Sequence, residues 1–321
     1  AYKEGLSNTH KLDEHFCHPH THYKTVHVAG TNGKGSCSHT LASILQASGL
    51  KVGLFTSPHL VDFRERIRLN GQMISKEFVV DFVEKERNFF ESLHPSFFEL
   101  TTAMAFNYFE EQNVDIAVVE VGLGGRLDCT NIITPVVSVI TNISFDHTAF
   151  LGDTLQKIAS EKAGIIKKGI PVVIGESVKE TRNVFERKAN EVNSPILFAE
   201  DKNNIINYQI MENGRILYNT TNYGLINGEL GGFCQIKNTN TILNAIDLLK
   251  EQGFDIKDTD VHKGFANVCE MTGLMGRWQT IQERPKVVCD TGHNVGGFEW
   301  ITKQLNEVAC HKRIVFGMVN D

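Results

Sequence analysis

The sequence predicts an α/β protein: a mostly parallel sheet with a phosphate loop and helices on both faces, a small antiparallel insertion, and the start of a second α/β domain. Three observations carry that expectation. Short, near-continuous Val/Ile runs alternate with helix-period stretches, as strands do when crossover helices bury both faces of a sheet. One such run, in "VHVAGTNGKGSCSHTLASILQ" at 26–46, passes through a Gly-rich turn straight into an amphipathic stretch. A third segment, "INYQIMENGRILYN", has Asn213–Gly214 between two alternating runs and reads as a hairpin beside the main sheet.

Taken in order, apolar strands are expected at 25–29, 51–55, 115–120, 136–142 and 170–175. Helical periods fill 38–47, 76–90, 101–110 and 154–166, the last with Asp153 or Thr154 as its N-cap. Residues 196–236 form the antiparallel insertion, and helical signal returns at 239–251 and 258–267. After "GLMGRWQTIQERP" a new strand begins at 286–290, followed by a helix at 297–308 and a strand at 313–318. Pro285 and the polar residues before it divide the chain into a central domain, 1–283, and a second α/β domain, 284–321. One strand–helix–strand unit is too small to bury its own sheet, so the second domain is expected to be cut short at Asp321.

The 321 residues are 41% hydrophobic and 22% charged, ordinary values for a globular chain with a sizeable core. A net charge of −6 argues against a general nucleic-acid or membrane-surface binder. No apolar run reaches the roughly 20 residues of a spanning helix, and the first residues lack a signal-peptide layout. Seven cysteines without a repeated spacing fit reduced thiols and a cytoplasmic location. The segment "HFCHPHTHYKTVH" concentrates His15, Cys17, His18, His20, His22 and His27. Histidines at i and i+2 around a proline do not match a known zinc module, so the segment reads as a polar lead-in to the first strand.

The strongest functional signal is the turn itself: Gly30, Thr31, Asn32, Gly33, Lys34, Gly35 and Ser36. It departs from G-x-x-x-x-G-K-[ST], because Val28 occupies the first glycine position and Gly35 follows the lysine. The physics survives the departure. Glycines let backbone N–H groups close on an anion, the helix N-terminus adds partial positive charge, Lys34 reaches terminal phosphates and Ser36 can ligate Mg²⁺. A small, hard ion of this kind needs carboxylates at neighbouring strand ends. Glu120 ends one predicted strand, and Asp146 with His147 follow another, where ligands gather on an open α/β sheet.

At this point the motifs resemble those of the folylpolyglutamate synthases, often also dihydrofolate synthases, of the Mur ligase superfamily. "GTNGKGS" at 30–36, "FTSPHL" at 55–60, "EVGLGGRLD" at 120–128, Asp146–His147 and "EKAGIIK" at 161–167 stand in that family's order, and "GRWQ" and "DTGHN" extend it into the second domain. The resemblance implies two Mg²⁺ ions. Ser36, Ser57 and Glu120 match the ligands of the ion that bridges the ATP phosphates. Glu120, His147 and Lys162 match those of the second, with Lys162 carrying CO₂ as a carbamate and so becoming an anionic oxygen donor. It also implies that Asp128 contacts the pterin-bearing substrate, Arg277 lies near the γ-phosphate, Asp290 and His293 reach the nucleotide from the second domain, and Asn238 sits by the adenine. The family's usual D-G-A-H-N-P is here Asp290-Thr291-Gly292-His293-Asn294-Val295, so the local turn differs.

The implied reaction is attack of a substrate carboxylate on the ATP γ-phosphoryl group, giving an acyl phosphate that the amino group of L-glutamate then captures. The implied partners are ATP, glutamate and a dihydropteroate or folate, on a monomer with no nucleic-acid or membrane partner. Two other activities stay open from the residues: a Mur-type ligase acting on a cell-wall precursor, and a phosphate-loop switch without ligase activity. The former usually carries an extra N-terminal domain, whereas this chain reaches its phosphate loop within about 30 residues, too few for a domain.

Overall fold

The computed structural model describes residues 5–317. Eight strands form the main sheet: β1 (Lys24–Ala29), β2 (Val52–Phe55), β3 (Ile67–Leu69), β4 (Gln72–Met73), β5 (Ile116–Glu120), β6 (Val137–Ile140), β7 (Val172–Ile174) and β8 (Ile196–Phe198). Their order is β4-β3-β2-β5-β1-β6-β7-β8, parallel from β2 to β8, with β3 and β4 added antiparallel at one edge. The chain leaves β1 toward β2 on one side and later crosses from β5 to β6 on the other. The carboxyl end of β1 therefore opens on the crevice where the winding reverses.

Alternate residues of each strand serve different faces, as a pleated strand requires. Val26, Val28, Leu54 and Val118 pack with Leu41, Ile44, Ile242, Ile246 and Leu249, from the helices Lys34–Ala47 and Cys234–Glu251. Phe55, Ala117 and Val119 meet Met104, Phe106 and Phe109 of the helix Phe97–Glu111 on the opposite face. Ala29, Ile140 and Ile174 pack on Ala159, Ile165 and Phe185. Helices thus cover both faces, which is why the strands read as continuous apolar runs. Thr154 caps the helix Leu155–Lys162 by accepting from the Lys157 N–H at 3.2 Å, one of the two caps expected.

Several expectations need correction. The segment 196–236 is not wholly an insertion: Ile196–Phe198 is the last parallel strand of the main sheet. The insertion is three-stranded rather than a single hairpin, with β9 (Ile205–Ile210), β10 (Ile216–Thr220) and β11 (Gly224–Gly228). Gly214, at φ +83°, makes the β9–β10 turn as expected. The helix expected at 76–90 splits at Glu86 into Lys76–Lys85 and Arg87–Leu93. The strand at 286–290 exists as β13 (Lys286–Cys289), but it pairs antiparallel with β12 (Gln279–Glu283), and Pro285 lies in the turn between them. A helix follows at Val295–Asn306, while residues 313–317 form no strand and Met318 lies outside the described residues.

Candidate active site

The strand β1 delivers its carboxyl end into Gly30, and Gly33, at φ +84°, caps the helix that begins at Lys34. Gly30 is required by crowding. A Cβ there would fall 1.8 Å from Thr141 Oγ1, at a backbone φ of +148°. The loop is pinned from the tip of β6: Asn142 accepts the Thr31 N–H on its carbonyl at 3.0 Å and the Asn32 N–H on its Oδ1 at 2.8 Å. Thr141 Oγ1 donates to the Asn32 carbonyl at 2.5 Å, and Lys34 Nζ donates to the Thr31 carbonyl at 3.2 Å.

A cleft of about 230 Å³ opens over this loop, and most of the expected residues line it: Thr31 to Ser36, Ser57, Glu120, Asn238, Arg277, Asp290 and His293. Glu120, only 3% exposed, ends β5 beside β1 and accepts from the Ser57 N–H at 3.3 Å. Burial pushes its carboxyl upward, and the charges of Lys34 and Arg277 pull it back. Arg277 approaches the loop closely enough that a Cβ on Gly35 would lie 2.9 Å from its guanidinium and push that side-chain end aside. That guanidinium is held by the Gly276 carbonyl at 3.1 Å and by the Thr291 hydroxyl. Asp290 accepts from the N–H groups of Trp278 and Gly292, each at 2.8 Å, which fixes the turn that carries His293.

Four expected residues stand outside the cleft wall: Gly30, whose carbonyl turns toward Lys162, and Lys162, His147 and Asp128. Lys162 lies beneath the loop, 3% exposed, with Nζ donating to the Gly30 carbonyl at 3.0 Å. Burial, then the nearby Lys34 charge, lowers its ammonium to about 7. His147 is exposed beside the cleft at φ +44°, its Nε2 3.8 Å from Asp146 Oδ1. Asp128 is 5% exposed, and its carboxylate accepts from the Leu123 N–H at 2.9 Å and the Thr130 N–H at 3.0 Å. It caps the short turn Cys129–Ile132 and orders the loop after β5.

Sequence reasoning missed four residues here. Gln235 Nε2 donates to Ser36 Oγ at 3.1 Å, and its Oε1 accepts from Asn238 at 3.0 Å. Its position one helical turn before Asn238 was the available signal. Asn142 and Glu176 follow β6 and β7 at the same end of the sheet as Glu120. Asn294 exchanges two amide bonds with Asn32, both 3.0 Å, and donates to Asp146 at 3.0 Å, linking the last helix to the phosphate loop.

The donor set suits a small hard cation: one buried carboxylate and two hydroxyls, Ser36 and Ser57, beside phosphate-facing N–H groups. With Lys34 and Arg277 both lining it, the cleft presents two cations to a bound anion, an arrangement that suits a polyphosphate.

The comparisons agree with this geometry. The family model described as the Mur ligase middle domain matches residues 28–245. The chain is 37% identical over 332 aligned residues to the dihydrofolate synthase/folylpolyglutamate synthase of Bacillus subtilis, covering 99% of this chain and 76% of that protein. The FPGS–AMPPCP–folate complex superimposes with a TM-score of 0.88 at 32% identity, covering 96% of this chain and 77% of that one. The folylpolyglutamate synthase of Thermotoga maritima gives a TM-score of 0.82 at 36% identity, with coverages of 95% and 71%. Fold, cleft and kinship lead to one conclusion: the chain belongs to the folylpolyglutamate synthase/dihydrofolate synthase family of Mur ligases.

Proposed function

We propose that this protein is an ATP-dependent ligase that joins L-glutamate to dihydropteroate, to a reduced folate, or to both, releasing ADP and phosphate. The observation that carries this is the convergence of Lys34, Ser36, Glu120 and Arg277 on one cleft at the carboxyl end of β1. The N–H groups at the start of the helix Lys34–Ala47 grip the triphosphate, and Lys34 and Arg277 draw charge from the γ-phosphoryl group as the acceptor carboxylate attacks. Glutamate nitrogen then displaces phosphate from the acyl phosphate through a tetrahedral intermediate, with Asp290 and His293 closing over the nucleotide to keep water out.

Ser36, Ser57 and Glu120 would hold one Mg²⁺, and Glu120, His147 and a carbamylated Lys162 a second; these ions neutralise phosphate charge when bound. The Lys162 ammonium, lowered by burial to about 7, leaves enough neutral amine to take up CO₂. Asn238 sits by the adenine, and Asp128 contacts the pterin-bearing substrate from the loop after β5. The division into a central domain, 1–283, and a second α/β unit, 284–321, is kept in this reading, with the β12–β13 hairpin spanning the join. We assign a monomer and a cytoplasmic location. The seven cysteines are free thiols, and no helix among the described residues is long and apolar enough to cross a membrane.

The test is product analysis with ATP, Mg²⁺, L-glutamate, and dihydropteroate or tetrahydrofolate as acceptor. Glutamylated product with stoichiometric ADP is expected. Phosphate release that needs neither acceptor nor glutamate would indicate a switch instead, and a requirement for a cell-wall precursor would indicate another Mur-type ligase.

A further inference from the structure

The His/Cys-rich lead-in takes no part in the cleft, yet the fold gathers two of its histidines around one buried carboxylate. Asp13, in the last turn of the helix Ser7–His15, is 9% exposed. His18 Nδ1 lies 2.6 Å from its Oδ2, and His20 Nε2 lies 3.2 Å from its Oδ1. One ligand atom from each residue falls within 4.8 Å of the others. The backbone explains the gathering. Cys17 and His18 both take left-handed conformations, φ +60° and +57°, and the His18 N–H returns to the Asp13 carbonyl at 2.8 Å. The chain thereby doubles back across the end of its own helix.

Asp13 Oδ1 is shut away from solvent with no hydrogen-bond donor in good geometry, although His20 faces it. A buried carboxylate oxygen left in that state is costly, and a cation would satisfy it. An ion bound tetrahedrally at 2.0–2.1 Å spaces its ligand atoms about 3.3 Å apart. The His20–Asp13 contact of 3.2 Å already stands near that spacing, and the exposed His18 ring, at 2.6 Å, has only to draw back slightly to reach it. Two imidazoles and one carboxylate suit Zn²⁺ and its transition-metal neighbours rather than Mg²⁺. The neighbouring histidines are engaged elsewhere, His15 with Glu86 at 2.8 Å and His22 with Glu110 at 2.5 Å.

We propose that Asp13, His18 and His20 form a second, separate metal site for a divalent transition ion of the Zn²⁺ type, with its fourth position open to water. The sequence reads this segment as a mere lead-in because the third ligand comes from the preceding helix, five residues before His18, outside any zinc-module spacing. Bound metal ties the end of that helix to the chain entering β1.

The test uses the full chain, stripped with chelator and titrated with Co²⁺, whose tetrahedral complexes absorb visibly. One equivalent should produce the band in the unsubstituted protein, and Zn²⁺ should displace it. H18A, at a side chain 56% exposed and so tolerant of change, should bind at least about 100-fold more weakly, and H20A likewise, with near-UV circular dichroism reporting the fold. H147A should keep the band. Absence of a band in the unsubstituted protein, unchanged affinity in H18A, or loss of the band in H147A instead would each overturn the proposal.

Discussion

Replacing Gly30 by alanine tests whether the phosphate loop is held where the structure places it. The new Cβ would sit 1.8 Å from Thr141 Oγ1 and 3.0 Å from Thr141 Cβ. Ordinary contact needs roughly 3.5 Å, so loop and strand tip must part by more than about 1 Å. Alanine must also hold a φ of +148°, a conformation that costs on the order of 1–3 kcal/mol outside glycine. Overpacking of this kind adds roughly 1–3 kcal/mol. Together they give about 2–6 kcal/mol, reaching the top of what single substitutions cost, and a fall in Tm of roughly 3–9 °C. The displaced loop carries Lys34 and Ser36, so kcat/KM for ATP should fall about 100-fold, as for other misplacements near 1 Å. Calorimetry and a coupled ADP assay on G30A, T141A and the double variant complete the test. T141A alone loses the 2.5 Å bond to the Asn32 carbonyl, about 1 kcal/mol. The double variant removes the 1.8 Å overlap and leaves Thr141 Cβ at 3.0 Å, so its loss should fall short of the sum of the two single losses by at least about 1 kcal/mol. G30A with native Tm and kcat, or strictly additive losses, would refute the crowding at Gly30.

Glu120→Gln keeps the shape of a buried side chain while removing its charge; we expect kcat to drop roughly 10²–10³-fold and the Mg²⁺ needed for half-maximal rate to rise. Unchanged Mg²⁺ dependence of ADP release would exclude Glu120 as a ligand. His39 is buried, bonded through Nδ1 to Thr272 Oγ1 at 2.7 Å, and burial lowers it to about 3. Between about pH 6.5 and 3 the unfolded chain therefore binds a proton that the folded chain refuses, so stability falls as pH falls through that window. His39→Gln should flatten the loss by about 1.4 kcal/mol per pH unit below pH 6, as read from urea midpoints at pH 4 to 7; an identical slope would contradict this. Asn294→Asp keeps the bond accepted from Asn32 but loses the two that the Asn294 amide donates, to Asn32 and Asp146, and sets a carboxylate 3.0 Å from Asp146. KM for ATP should rise about tenfold at low salt and recover partly as salt screens the repulsion, whereas a salt-independent KM would argue against it.

The sequence by itself determined the parallel sheet, the helices on both faces, and the loop from Gly30 to Ser36 at the end of β1. These features are written locally: burial on both faces makes Val26, Val28 and Val118 part of unbroken apolar runs, and a turn from strand to helix needs its glycines in adjacent positions. Glu120 was legible for the same reason, as a carboxylate closing a buried strand. What only the tertiary structure decided lies in contacts between distant residues. Gln235 meets Ser36 across 199 positions and Asn294 meets Asn32 across 262, and no local period records either meeting. The strand expected to open a strand–helix–strand unit at 286–290 pairs instead with Gln279–Glu283 in a hairpin, because one apolar run is compatible with either partner. The edge strands β3 and β4 escaped notice since three- and two-residue strands carry too little alternation to read. Likewise the motif that contains Asp128 gave no sign of the backbone donors, Leu123 and Thr130, that hold its two oxygens. Spacing fixes which residues share an element; packing fixes which elements share a site.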